Sequence, residues 1–321
     1  MKNCTIYSDN LIEADWFQNL SPEFKDTKTE LIKQRNKNIP IINELVDYDR
    51  PDIILLDQNQ KPLLVLEKTA EVPTGHNVGQ RIARLVKAIE KGVPTMLFFP
   101  FDARKHGTHT GICNLNARLL LAFKRMWEIH NTPIFAINWE SDSNGELIND
   151  GSEDEELKKI LRNIIKDNFS LNSKIYKKYK DLNYEEYQKR INIRPAYAKP
   201  PKSAEILKTK NFLDSLNFEI DEVDKIKLLK NKKILIYKII MTEENCKRQD
   251  PYTGTQFMYD YLYCRTGKLN YEKNRNLFLY FPKIRKNTWK IKNPNNPETK
   301  SCNWYLIANT LIFKDGILNL I

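Results

Sequence analysis

The sequence predicts an α/β (α+β) fold, a central mixed β-sheet flanked by helices, followed by a basic, β-rich C-terminal region. Three observations carry this expectation. Short apolar runs alternate with amphipathic stretches through residues 40–140. A Ser, Asp, Asn and Gly-rich segment at 141–153 interrupts the pattern and reads as an exposed loop. The charge balance then changes: residues 1–140 carry 18 Lys and Arg against 17 Asp and Glu, and the remainder carries 34 against 24.

The elements follow in order. Residues 22–36 are polar, with Ser21 as an N-cap and Pro22 suited to the first helical position, and are expected to form a helix. Pro40 to Leu45 is a short apolar segment of undecided type. Residues 52–57 and 62–69 read as two strands joined by the polar turn Gln58-Asn59-Gln60-Lys61. Residues 76–91 give the clearest helix, because Val78, Ile82, Leu85, Val86 and Ile89 form one apolar stripe and Gly92 suits the position after the C-cap. A buried strand at 94–99, a helix at 114–130 and a strand at 133–139 complete the first unit. Beyond it, 153–190 reads as helical and charged, 195–203 as a proline-bearing connection, and 212–321 as mostly β. The expected division is a core at 1–140, a helical, basic connecting region at 141–203 and a β-rich region at 204–321.

Composition narrows the function classes. At 321 residues, 41% hydrophobic and 29% charged, the chain is long and apolar enough to fold on its own. The net charge of +11, concentrated after residue 140, points to a polyanionic partner. The five cysteines form no C-x-x-C pair, so neither a disulfide framework nor a cysteine zinc site is expected, and a reducing cytoplasm fits. No leader-like N-terminus and no apolar run of membrane-spanning length is visible, so no membrane partner is expected. There is no internal repeat, Gly-rich phosphate loop or heptad run.

The chemistry lies in the hairpin. Asp52 opens the run Ile53-Ile54-Leu55-Leu56, and Glu67 closes Leu63-Leu64-Val65-Leu66. In an antiparallel pair the start of one strand lies beside the end of the next. The two acids can therefore meet, and converging carboxylates can hold a divalent cation. An acid ending an apolar strand has no packing role and is costly to half-bury. Pro51-Asp52, fourteen residues, then Glu67, on a hairpin followed by an amphipathic helix, resembles the PD-(D/E)XK nuclease superfamily, whose best-known members are type II restriction endonucleases. The resemblance covers roughly residues 20–140.

The resemblance implies a restriction-endonuclease-like sheet in which Asp52 and Glu67 bind Mg²⁺. It further implies cleavage of double-stranded DNA, with a homodimer as the natural assembly for a palindromic target and a cognate DNA methyltransferase as a companion. The motif departs from the family at one place. Two residues after Glu67 stands Thr69 where the family has Lys, and Lys68 is adjacent but expected on the opposite face unless a bulge intervenes. Glu71 shares the face of Glu67 if the strand continues, and is the candidate third metal ligand. Lys68, or Gln80 or Arg81 on the following helix, is the candidate group that positions the nucleophile.

Other residues suit contact with nucleic acid. His76, Asn77 and Arg81 lie at the start of the helix, where an N-terminus attracts phosphate. Arg104, Lys105 and His106 lie in a polar loop after a strand, and suit the backbone. Arg248, Gln249 and Arg265 flank turns as candidate base readers. Lys174–Lys180 and Lys283–Lys290 interleave bases with aromatic rings, a pattern that fits phosphate contact above a packed ring layer. A non-specific or structure-directed nuclease, an RNA-directed nuclease, and a DNA-binding protein with a degenerate centre remain alternatives.

Overall fold

The computed structural model describes residues 4–34, 36–73, 75–106, 111–244, 254–265, 275–292, 305 and 307–320, with the side chains of 75–78, 80 and 290–292 outside the description. The first half contains β1 (Thr5–Ser8), α1 (Leu11–Asn19), β2 (Lys28–Leu31), α2 (Pro40–Leu45), β3 (Ile53–Leu56), β4 (Pro62–Lys68), α3 (Gly75–Glu90), β5 (Thr95–Phe99), β6 (Asp102–Lys105), β7 (Gly111–Asn114), α4 (Arg118–His130) and β8 (Ile134–Asn138). Helices α5 (Glu155–Lys166) and α6 (Lys174–Ile193) follow. The last part contains β9 (Ala204–Lys208), α7 (Thr209–Asp214), α8 (Glu222–Leu229), β10 (Lys233–Lys238), α9 (Thr255–Tyr259), β11 (Asn276–Phe281), α10 (Lys286–Lys292), β12 (Thr310–Phe313) and β13 (Gly316–Asn319).

Six strands form a mixed sheet in the order β2-β1-β3-β4-β5-β8. β1, β3 and β4 are antiparallel neighbours, whereas β4, β5 and β8 run parallel. All five residues of β5 are buried, as expected for a parallel strand covered on both faces. The turn to β5 passes through α3, whose Ile82, Leu85, Val86 and Ile89 are fully buried. Its end is a Schellman motif: Gly92 takes φ +76°, its N–H donates to Ile89 O at 3.0 Å, and Val93 N–H donates to Ala88 O at 2.9 Å. The outer edge of β8 is covered by α6, where buried Asn183 donates to Ala136 O at 2.8 Å and accepts from Ala136 N–H at 2.7 Å.

A second sheet has the order β13-β12-β11-β10-β9, with β10, β11 and β12 parallel and the two outer strands antiparallel. Its strands alternate between two apolar layers. Leu235, Tyr237, Leu277, Leu279, Leu311 and Phe313 join the cluster that fills the first half, while Ile234, Ile236, Phe278 and Ile312 pack with Phe212, Leu213 and Leu228 on the far face. One buried cluster thus runs through all three segments expected from the sequence.

Several elements differ from expectation. Residues 22–36 form no α-helix; a 3-10 turn at Pro22–Phe24 leads into edge strand β2. The Ser21 side chain bonds Glu23 rather than capping, and the segment has no apolar stripe to hold a helix against the core. The undecided segment Pro40–Leu45 is helical. The stretch 153–190 is two helices, parted where Asn168 and Phe169 adopt φ of 50° and 54°. The region after 212 mixes strands with α7 to α10, because parallel strands need crossovers that a meander would not. Among the described residues no helix is long and apolar enough to cross a membrane.

Candidate functional site

The β3–β4 register pairs Ile53 with Leu66, and one further step sets Asp52 opposite Glu67. Asp52 Oδ2 also accepts the Lys68 backbone N–H at 2.6 Å, which pins the carboxylate to the end of β4. Asp52 is 3% exposed and Glu67 is fully buried. Their convergence is visible in one atom: Arg84 Nη1 lies 3.3 Å from Asp52 Oδ1 and 2.8 Å from Glu67 Oε1. Arg84 Nε lies 3.4 Å from Oδ2 of buried Asp49. One turn earlier on α3, Arg81 Nη1 lies 2.9 Å from the same Glu67 Oε1.

Burial dominates the electrostatics. It pushes Asp52 above the usual carboxylate range against the pull of Arg84. It pushes Glu67 well above that range, with Arg84 opposing and the Asp52 charge reinforcing the rise. Glu13, on α1, is pushed up to about 7 by burial first and by the Asp52 charge second. Arg84 is held more firmly protonated than usual, because Glu67, Asp49 and Asp52 outweigh the burial that opposes its charge. Asp49, Asp52 and Glu67 thus share Arg84, Glu67 is also paired with Arg81, and Glu13 lies near enough to feel the Asp52 charge. Glu67 Oε2 and Glu13 Oε2 are buried without a hydrogen-bond partner. The cluster has more carboxyl groups than guanidiniums, and burial favours their neutral form.

Lys68 leaves this cluster. It pairs with Phe98 in an unbroken β4–β5 register, so no bulge turns it toward Glu67. Its Nζ sits 3.9 Å from the Trp16 ring centre and 5.0 Å from that of Trp139, two cation–π contacts on the other face. Burial lowers its pKa, against the pull of Asp154, Glu153, Asp52 and Glu13. Thr69 continues the pairing by donating its N–H to Phe98 O at 3.0 Å, and its Oγ1 accepts from Glu71 N–H at 3.1 Å.

Thr69 and Glu71 open onto a cleft of about 1010 Å³, lined also by Arg81, Arg104, Lys105 and His106. The hairpin β6–β7 supplies the basic wall, and Arg104 is steadied by Asn144 O at 2.7 Å and Glu146 at 3.5 Å. His106 Nε2 lies 2.9 Å from Glu146 Oε2. The structure thus brings Asp52, Glu67 and Arg81 together and sets Arg104, Lys105 and His106 around the adjoining cleft.

Other expectations fare differently. Glu71 is exposed on the cleft and forms no three-residue cluster with Asp52 and Glu67; among the described residues no three His, Cys, Asp or Glu side chains are placed to hold a metal. The strand ends at Lys68, so the face alternation that would carry Glu71 back to Glu67 stops there. Further carboxylates come instead from Asp49, which shares Arg84, and from Glu13, on a helix far upstream whose sequence shows no sign of the role. Asp49 and Arg84 were equally hidden, since neither spacing nor apolar pattern marks a buried ion pair. Arg265 is no base reader in this arrangement: its side chain is buried, with Nε 2.5 Å from Asp260 Oδ2, Nη1 2.9 Å from Tyr261 OH and Nη2 3.5 Å from Glu90 Oε1. Arg248 and Gln249 lie outside the described residues, as do the side chains of His76, Asn77 and Gln80, whose backbone forms the first turns of α3. In Lys174–Lys180 the rings of Tyr176 and Tyr179 are buried on Phe135 while Lys174, Lys177 and Lys178 face solvent.

The donor set suits a hard divalent cation. Carboxylate oxygens are its preferred ligands, one Glu67 oxygen is unpartnered, and a bound cation would favour the ionised form that burial opposes. Comparison of the sequence with protein-family models, with curated proteins and with solved structures finds no match.

Proposed function

We propose that the chain is a Mg²⁺-dependent endodeoxyribonuclease that hydrolyses phosphodiester bonds of double-stranded DNA, in the manner of a type II restriction endonuclease. The observation that carries this reading is the cross-strand pair Asp52–Glu67, whose Oδ1 and Oε1 share Arg84 Nη1 behind a cleft that Arg81, Arg104 and Lys105 help to line. The order antiparallel β1-β3-β4, then α3, then parallel β5 supports a restriction-endonuclease-like sheet with its acids on one hairpin.

In this reading Asp52 and Glu67 would hold Mg²⁺, with Asp49 and Glu13 as additional carboxylates of the cluster. Bound there, the ion supplies Lewis-acid activation of water and of the phosphoryl group. The protein's own groups do the rest. Arg104 and Lys105 attract the DNA backbone into the cleft, and Arg81 offers a planar fork to a phosphate. Thr69 stands where the family's lysine would, so water activation falls to the carboxylates. Lys68, between its two rings, steadies the end of β4 and stays out of the chemistry. A homodimer matching a palindromic site, and a protecting methyltransferase, complete the restriction reading.

The test is cleavage of plasmid DNA with Mg²⁺. Discrete fragments are expected from the wild type and none from Asp52→Ala or Glu67→Ala. Cleavage that survives both substitutions sinks the assignment. A second reading, a DNA-binding protein with a degenerate centre, is favoured by Thr69 and by the arginines already paired with both acids. Tight, salt-sensitive binding without cleavage in Mg²⁺ or Mn²⁺ selects it, and a smear in place of fragments selects a non-specific nuclease.

A further inference from the structure

The Arg81–Glu67 pair has a leftover atom on each side. Glu67 uses Oε1 for both arginines and leaves Oε2 buried and unpartnered. Arg81 uses Nη1 for Glu67, and its Nε is buried with no hydrogen-bond partner. Buried polar atoms in folded proteins are nearly always satisfied, so such a doubled shortfall in one pair marks a place held for other partners. Their chemistry is readable. The carboxylate lacks a cation at Oε2. The guanidinium lacks an acceptor at Nε, and a tetrahedral oxyanion meets the Nε–Nη fork with two parallel bonds.

Position adds direction. Arg81 lines the cleft, whereas Glu67 lies behind it and is fully buried. Arg81 therefore stands between the open space and the acid. Its side chain is 17% exposed, enough to meet a phosphate that enters between β6–β7 and the end of β4. Arg84 behaves differently. Its Nε also lacks a hydrogen bond and its side chain is equally exposed, but it is paired with Asp49, Asp52 and Glu67 together and is not among the cleft-lining residues, so it remains with the acids when Arg81 turns away.

We propose that Arg81 is a latch that couples phosphate binding to cation binding: a phosphodiester in the cleft takes the Arg81 guanidinium from Glu67, and Glu67, left with Arg84 alone on Oε1, is thereby opened to a divalent cation at its unpartnered Oε2. The inference rests on the nuclease reading and adds to it an order of events. Without nucleic acid the cation site is held shut by a positive charge. With nucleic acid, the same charge moves to the phosphate. The coupling is reciprocal, so a cation at Glu67 also tightens the hold on DNA.

The test is calorimetric titration of Ca²⁺, which reports binding without turnover, into the full chain at pH 8, with and without a saturating short DNA duplex. Heats of Ca²⁺ on duplex alone are subtracted. Wild type is expected to bind Ca²⁺ about tenfold more tightly with duplex, within the usual range for coupled sites. Arg81→Gln is expected to reach about that tighter affinity without duplex and to gain little from it. Arg81→Lys keeps the charge but not the fork, and serves if Arg81→Gln does not fold; it is expected to fall between the two. A duplex-free Ca²⁺ affinity in these variants equal to or weaker than wild type overturns the latch. Glu67→Ala separates the two ideas. If it binds Ca²⁺ as wild type does, the cation site itself, and the nuclease reading with it, is wrong. Glu67-dependent binding that Arg81→Gln leaves unchanged overturns the latch alone.

Discussion

Replacing Arg84 by Met keeps much of the apolar stem and removes the charge on which three buried acids converge. Its contacts lie at 2.8 Å to Glu67, 3.3 Å to Asp52 and 3.4 Å to Asp49. At an effective dielectric of about 20, each such pair is worth on the order of 5 kcal/mol of gross attraction. Most of that is offset by the desolvation needed to assemble the cluster, so the gross sum is no measure of the net effect. Removing one partner of a buried pair strands the other charge, and the expected loss is about 3–5 kcal/mol of unfolding free energy. Urea denaturation at pH 7.5, followed by tryptophan fluorescence, measures it. Glu67→Gln in the same chain removes one stranded charge, so the double variant should recover about 1–3 kcal/mol of the loss. A loss under about 1 kcal/mol for Arg84→Met, or no recovery in the double variant, would refute the view that this guanidinium holds the acid cluster together.

Three further outcomes are expected. Glu13 has a folded-state pKa near 7 against 4.5 for the free group, so the folded protein binds its proton more strongly; the stabilisation is full below about pH 4.5 and is lost as pH rises through 7. Glu13→Gln should flatten the melting temperature across that window, and an unchanged slope counts against the burial argument. Arg104→Ala and Lys105→Ala should each weaken DNA binding across sequences and reduce the slope of log affinity against log salt by about 1, as read by fluorescence anisotropy; an unchanged slope removes that residue from the phosphate contacts. Asn183→Leu strands the N–H and C=O of Ala136, so a loss of about 2 kcal/mol in chemical denaturation is expected; a neutral result would mean that water reaches this backbone.

How much of this was legible beforehand differs by element. The hairpin, α3, β5, α4 and β8 announce themselves through apolar runs of the right period, and their observed bounds lie close to those expected. The first twenty residues do not. In α1 the apolar Leu11 and Ile12 are exposed while Ala14 and Phe17 are buried, so the apolar pattern misstates the inward face. The meeting of Asp52 and Glu67 follows from strand alternation and register alone. Arg81 is expected near the site from its place on the following helix, but Arg81 and Arg84 are not legible as counter-charges of the acids, because both read equally well as solvated charges on a polar helix face. Only the fold shows that this face turns toward the hairpin end. Arg265 misled for the same reason in reverse: a base beside a turn looks available until Asp260 and Glu90 are seen around it.

The covered edge at β8 constrains how copies of the chain can associate. Asn183 presents an amide that imitates the backbone of a seventh strand, and thereby closes that edge to a neighbour's main chain. The opposite edge, β2, is four residues long and carries Lys28 and Glu30 as an ion pair at 2.5 Å, charged groups of the kind that discourage a flat β-contact. Continuation of the six-stranded sheet from one molecule into the next is therefore disfavoured at both ends. Copies that bring two cleft-bearing halves onto one duplex would have to meet elsewhere, through helices and loops or through the edges β9 and β13 of the second sheet, and that choice determines the spacing between the two sites.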